Sequence, residues 1–340
     1  MNSFYWQIRS RSELFLGQPA AWTLLTAGTL GVVVVLATAE GAVDLPLTGL
    51  WSAMSNPEDP FHTVVWNVRL PRVACGAIVG LDLALAGALL QTAVRNPLAD
   101  PGILGVTAGA GVGALCVLLF APGHSDWVPW AGFLGGGATV CLLLGLAATR
   151  EGEMSALRIV LSGVAIQALL FAVIGLLTFV FADRAPAFAA YVAGSLNGLG
   201  WADAQRMVLP TLIGLIVAAG FLRTLNLLLL GDSAASGLGL NVTRARMAAA
   251  CIAALLTAAA VSAAGLVGFV GLVVPNAIRL VVGPEHRALL PASALGGATL
   301  VVFADLIART ALAPLELPVG SLLALIGGPY FLYLLWKKLA

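Results

Sequence analysis

The sequence predicts an all-α, polytopic membrane fold of about ten transmembrane helices in a single domain spanning residues 1–340, and three observations carry that prediction. Hydrophobic residues make up 60% of the chain and charged residues only 10%, against about 25% charged in a soluble domain. Apolar runs of about 20 residues, one membrane thickness, follow one another from end to end. Glycine makes up 39 of the 340 residues, well above the usual share of about 7%, which in a membrane chain points to close helix packing.

The first run, 21–39, follows Arg9 and Arg11. Its ATA ending at 37–39 imitates a signal-peptidase site, so a cleaved signal is the competing reading. The run exceeds a usual signal core of about 7 to 15 residues, which favours a retained helix. Residues 40–67 form a polar loop, with NP at 56–57 and DP at 59–60 as breakers and room for a short surface helix. Arg69 and Arg72 stand around Pro71 and mark the outer water interface of the second run, which ends at Gln91, Arg95 and Asn96. Pro97 and Pro101 then forbid a continuous helix and leave backbone groups for protein or water to satisfy. GVTAGAGVGA, 105–114, concentrates small residues, as in a helix whose backbone touches its neighbours. Eight further runs lie near 102–120, 128–148, 159–181, 206–222, 246–263, 267–282, 291–308 and 319–336, with Gly265 and Gly268 splitting the pair at 246–282.

Charge placement orients these helices. With both termini in the cytoplasm, twelve of the 17 Lys and Arg residues fall inside, and Arg69, Arg72, Arg184, Arg206 and Arg309 fall outside, as the positive-inside rule favours. A net charge of +1 speaks against a nucleic-acid partner. Cys75, Cys116, Cys141 and Cys251 lie in apolar runs without metal-site spacing and read as small core residues. The lysines, Lys337 and Lys338, stand at the extreme C-terminus, which excludes a phosphate-binding P-loop. His62, His124 and His286 are scattered through loops, so neither a catalytic metal site nor an intramembrane enzyme is indicated; contact of His62 or His124 with a haem-like cargo is the minor alternative to ordinary solvated side chains. Asp82 is the one mid-helix charge that would suit an ion-gradient-driven secondary transporter, the runner-up class. Asp305 and Arg309, at i and i+4, are spaced to pair with each other, and Asp82 needs a similar partner or a water-filled groove.

Several stretches carry a more specific pattern: RLPR at 69–72, QTAVRNPLADPGILG at 91–105, LGDSAASGLGL at 230–240, GLVGFVGLVVPNAIR at 265–279 with GPEHR at 283–287, ADLIAR at 304–309, ELPVG at 316–320 and GGPYF at 327–331. Together they resemble the FecCD-type permeases, the membrane subunits of ATP-binding-cassette importers for iron chelates, haem and cobalamin, from about Trp66 to Trp336. Two positions depart from the family pattern: Gly237 stands where a long or polar residue is usual, and Asn276 stands in place of a histidine.

The resemblance implies a type II importer permease fold in the inner membrane, with helices 2–5 and 7–10 related as inverted halves, and a homodimer surrounded by lipid. It implies two separate ATPase subunits that bind the ATP and Mg, so this chain carries no cofactor, and a periplasmic or extracytoplasmic substrate-binding protein. Arg69, Arg72 and Arg309 would dock carboxylates of that binding protein, the forked guanidinium being suited to them; interfacial snorkelling is the alternative. Asn96 and Leu98 would form the cytoplasmic gate, with the turn from Ser155 to Arg158 as a weaker second candidate. Gly231, Asp232, Ala235, Leu238 and Gly239 would form the ATPase-coupling segment, 230–240, in which Asp232 or Ser233 can cap a short helix; a plain connecting loop is the alternative. Asn276 is either a residue of the translocation path or the polar group that satisfies a Pro-kinked helix. An iron chelate, ferric siderophore or haem, ranks above cobalamin as cargo.

Overall fold

The computed structural model describes residues 19–41, 47–147, 156–181 and 191–339. Arg9, Arg11, Asp44, Arg150, Ser155, Asp183 and Arg184 lie outside the described residues. The described chain is helical throughout: α1 Pro19–Ala39, α2 Leu47–Ser55, α3 Leu70–Val94, α4 Val106–Phe120, α5 Val128–Ala147, α6 Ala156–Val180, α7 Trp201–Gly220, α8 Leu222–Leu229, α9 Asp232–Gly237, α10 Val242–Ala264, α11 Val270–Val282, α12 His286–Thr310 and α13 Val319–Leu339. Among the described residues seven helices are long and apolar enough to cross a membrane, and three shorter apolar ones coincide with the remaining expected runs.

The core sits on α3 and α10. Both are buried along most of their length, whereas α1 and α6 turn most of their side chains outward. Packing this dense requires small residues where backbones cross. A Cβ on Gly80 of α3 would collide with the backbone of Gly297 in α12, and one on Gly87 would collide with Gly271 of α11. The small residues of α4 fulfil the same role against α5, where Gly109 faces Gly135 and Thr139.

A series repeats along the chain. The long helix α3 stops at Arg95 in a left-handed conformation (φ 53°), and the short α4 starts from Gly105 at φ 79°. The long α10 stops at Gly265 (φ 69°), and the short α11 starts from Phe269 at φ 66°. At 15 and 13 residues, α4 and α11 reach only about 20 Å of a hydrocarbon core of about 30 Å. Their N-termini therefore begin inside the protein, where other chain segments must satisfy them.

Several boundaries differ from the sequence reading for physical reasons. Arg69 and Arg72 lie within a continuous helix instead of before it: a π-helical turn, Val65–Arg69, with Leu70 N–H bonding the Val65 carbonyl, carries the chain past Pro71. Helix α7 starts five residues earlier than expected because Asp203 accepts the Gly200 N–H at 3.0 Å and pairs with Arg206 at 2.9 Å. Helix α8 is an amphipathic segment with Leu225 and Leu228 buried, in the stretch between the run expected to end near 222 and the segment 230–240. His286 is a fully buried first residue of α12, not a loop histidine. Of the cysteines only Cys75 is buried; Cys116 and Cys141 are exposed on apolar helix faces, since lipid-facing positions accept a small apolar residue as readily as the core does. Asp82 is fully buried, and its partner is a hydroxyl, not a cation: Thr211 Oγ1 donates to Asp82 Oδ2 at 2.7 Å.

Candidate functional site

Polar side chains concentrate at the two ends of α3, about 35 Å apart by helix rise. At its N-terminal end Arg72 spreads its fork over two acids. Nε and Nη2 donate to Asp305 at 3.0 and 2.8 Å, and Nη1 donates to Glu316 at 2.9 Å. The expected Asp305–Arg309 pair survives only as a 3.7 Å contact, because Arg72 reaches Asp305 sideways from α3 with better geometry. Arg309 instead donates to the Ala37 carbonyl, and Arg69 donates to the Thr38 and Ala39 carbonyls. These are orphan acceptors at the C-terminal end of α1, where positive charge also meets the negative end of the helix dipole. The three arginines are only 4%, 8% and 7% exposed for Arg69, Arg72 and Arg309, so in this chain their donors serve internal acceptors. Glu316, with a third of its side chain open, is the accessible edge of the cluster.

At the other end of α3 a turn is built from NPLAD. Asn96 N–H bonds the Gln91 carbonyl at 3.0 Å across the left-handed Arg95, a helix-terminating motif usually closed by glycine. Asn96 is buried and its Oδ1 accepts the Leu98 N–H at 3.1 Å, so it stiffens its own turn, while Leu98 is partly exposed. Asn276 then fastens the turn to α11: its Nδ2 donates to the Pro97 carbonyl at 2.7 Å and to Leu272 at 2.8 Å. Pro275 has no N–H, which frees the Gly271 carbonyl, and Gln91 Nε2 fills that vacancy at 2.9 Å. Arg279 closes the circuit, donating to Gln91 Oε1 at 2.8 Å and to Asn276 Oδ1 at 2.9 Å. Asp100, from the same turn, accepts the Gly102 N–H at 2.7 Å and the backbone N–H groups of Phe269 and Leu272, thereby capping α11 from outside. A cavity of about 190 Å³ opens beside it, lined by Asp100, Thr107, Gln167, Phe171 and Phe269.

The segment expected to contact an ATPase is a helical turn, α9, next to that end. Gly231 (φ 100°) admits the entry, and Leu240 N–H bonds the Ala235 carbonyl across Gly239 (φ 84°) at the exit. Ala235 is the buried anchor; Leu230 and Leu238 are exposed, as are Gly237 and Gly239. Neither Asp232 nor Ser233 caps the helix by a side-chain bond. Asp232 turns away to accept from Arg246 Nη2 at 2.9 Å and to face Arg95 Nη1 at 3.6 Å. Helix α8 buttresses the same end through Asn226, which accepts the His286 N–H at 3.0 Å; the imidazole lies 2.8 Å from both Asn226 Oδ1 and Thr92 Oγ1.

Gln91, Arg95, Asp100, Arg246, Arg279 and His286 thus belong to the arrangement, though the sequence did not single them out as site residues. Gln91, Asp100 and Arg279 sit inside stretches whose pattern was legible, but their partners lie up to 188 positions away along the chain. His62, by contrast, is spent on the Ala53 carbonyl at 2.8 Å, and His124 is exposed. Among the described residues no cluster of His, Cys, Asp and Glu could hold a metal ion.

Comparison with known proteins agrees with this architecture. The model of the FecCD transport family matches residues 29–337. The hemin transport system permease protein HmuU of Yersinia pestis is 41% identical over 90% of this chain and 93% of its own length. The cobalamin import system permease protein BtuC of Halobacterium salinarum is 43% identical over 81% of this chain and 73% of its own. A solved structure described as an inward-facing conformation of a metal-chelate type ABC transporter superposes with a TM-score of 0.77 at 31% identity, covering 93% of this chain and 98% of that one. A helical membrane chain with this match along nearly its whole length is a member of the FecCD transport family, a multi-pass permease subunit of an ATP-binding-cassette importer.

Proposed function

We infer that the permease imports an iron chelate, a ferric siderophore or haem, across the inner membrane, working as a homodimer with both termini in the cytoplasm. Two separate ATPase subunits bind the ATP and Mg and contact the cytoplasmic face at residues 230–240, and a soluble binding protein delivers cargo at the opposite face, near Arg69, Arg72 and Arg309. The observation that carries this is the pairing at one end of the molecule of a protruding, partly apolar helical turn, α9, with the stiff NPLAD turn. Exposed Leu230 and Leu238 offer a contact surface outside the core, and the neighbouring turn presents Leu98 as a small apolar constriction of the kind that gates by excluding water. The ranking of cargo follows the breadth of iron-chelate relatives, named for hemin, ferric hydroxamate and ferric citrate; the similarity to cobalamin permeases keeps cobalamin as the second reading.

The test is reconstitution in proteoliposomes with the cognate ATPase and binding protein. Vanadate-sensitive uptake of ferric siderophore or haem is the expected outcome. Uptake of cobalamin alone overturns the cargo, and uptake that collapses with an ion gradient and ignores vanadate overturns the energy source.

A further inference from the structure

We propose that Arg95 is a positioning residue of the cytoplasmic gate, carrying the movement of the ATPase-facing helix α9 to the NPLAD turn through Asp232. The proposal rests on the reading of residues 230–240 as the ATPase contact and adds the path by which that contact reaches the pore. Three charged side chains make the path. Arg246, with 7% of its side chain exposed, is a fixed anchor in α10 that holds Asp232 Oδ1 at 2.9 Å. Arg95 and Asp232 are each 44% exposed and lie 3.6 Å apart, so this second contact is open to water and made or broken at little cost.

Backbone geometry makes Arg95 the element that transmits. It is a non-glycine residue held at φ 53°, immediately before Asn96, so its main chain is locked into the motif that ends α3 and begins the gate turn. Its guanidinium lies over the Gly231 backbone: a Cβ there would stand 3.5 Å from Nη2, an ordinary van der Waals contact, so the two chain segments are neighbours and the φ of 100° is what calls for glycine. The turn is therefore held at two points of different character. Asn276 fixes it to α11 by a part-buried hydrogen bond to Pro97, braced by Arg279 and Gln91. Arg95 ties it to α9 by a single ion pair shared with Arg246. A displacement of α9 relative to α10 loads the Asp232–Arg246 bond and reaches the turn through Arg95, whose half-open side chain can follow Asp232 while the packed Arg246 cannot.

The experiment uses the complete transporter, permease with ATPase and binding protein, in proteoliposomes, and reads three quantities: ATPase retained on the purified permease, ATP hydrolysis stimulated by binding protein, and cargo moved per ATP. Arg95→Ala is expected to keep the bound ATPase and the stimulated hydrolysis within twofold of wild type while cargo per ATP falls at least fivefold. Arg95→Lys, which keeps the charge, is expected to recover at least half of that loss. Unchanged cargo per ATP in Arg95→Ala overturns the proposal, as does loss of bound ATPase in that variant, which would make the residue an assembly contact. Leu238→Asp, on the exposed rim of α9, tests the underlying reading separately. Lost ATPase binding there supports it, and retained binding with full transport removes the contact from residues 230–240 whatever Arg95 does.

Discussion

Gln91 shows how one side chain can settle two backbone problems at once. Its amide donates to the carbonyl that Pro275 leaves free, and its oxygen receives Arg279, which in turn orients Asn276 on the NPLAD turn. Gln91→Leu, close in volume, strips both partners and is expected to destabilise the permease by about 2 to 3 kcal/mol, the cost of a buried carbonyl and a guanidinium N–H left unpaired. The midpoint of thermal unfolding in detergent should drop by several degrees. Asn276→Ala removes the tie to Pro97, a second bond to the Leu272 carbonyl and one Arg279 contact, all part-buried, and is expected to cost about 1 kcal/mol, with a leak of cargo in the absence of ATP as its functional sign. A Gln91→Leu protein as stable as wild type would show that water replaces the amide. None of these partnerships was legible in the sequence. Asn276 was read either as a path residue or as the satisfier of a kinked helix, and the geometry gives it the second task in a different form, since it holds the Leu272 carbonyl and the Pro97 turn while Gln91 takes the carbonyl that the proline frees.

Helices were easier to foresee than their contacts, because a membrane-spanning run declares itself by composition whereas a crossing point does not. All of the expected apolar runs became helices. What was missed, α8, is eight residues long with two buried leucines, too short and too polar on its other face to stand out as a run. Glycine content signalled close packing, yet only the structure distinguishes glycines at a crossing from glycines facing outward. Gly80 meets the Gly297 backbone, whereas a Cβ added at Gly137 would find open space, with nothing within 4 Å. Gly80→Val should therefore force α3 and α12 apart and destabilise the fold by about 3 kcal/mol, read as loss of monodisperse protein after extraction. Gly137→Ala should be silent in the same assay. Equal behaviour of the two variants would mean that α3 and α12 do not cross at Gly80 and Gly297.

At the scale of the whole molecule the two ends of α3 carry opposite designs. The Arg95 end is a network of hydrogen bonds fastened to a turn, and the Arg72 end is an ion cluster in which Arg72 and Arg309 share Asp305, Arg72 also holds Glu316, and Arg69 turns to the backbone carbonyls of Thr38 and Ala39. Proposing that the second end receives a binding protein raises a physical difficulty, since all three arginines are buried and engaged. Replacing Arg72 would leave Asp305 buried without its fork and cost about 3 to 5 kcal/mol, so a loss of docking in that variant would not separate folding from recognition. Glu316 does separate them. It is the exposed acid of the cluster, holding one nitrogen of Arg72 while Asp305 keeps the other two. If the partner brings carboxylates, Glu316 competes with them, and Glu316→Gln should strengthen docking by about fivefold, on the order of 1 kcal/mol for a partly exposed charge. That gain should shrink as salt rises, since such charges are screened over about 8 Å at physiological ionic strength. The measurement is the affinity of the cognate binding protein for the permease in nanodiscs, wild type against Glu316→Gln, at low and high salt. Equal affinities at low salt, or weaker docking by the variant, would remove the carboxylate-receiving role from this cluster and leave Arg69, Arg72 and Arg309 as the residues that hold α1, α3 and α12 together.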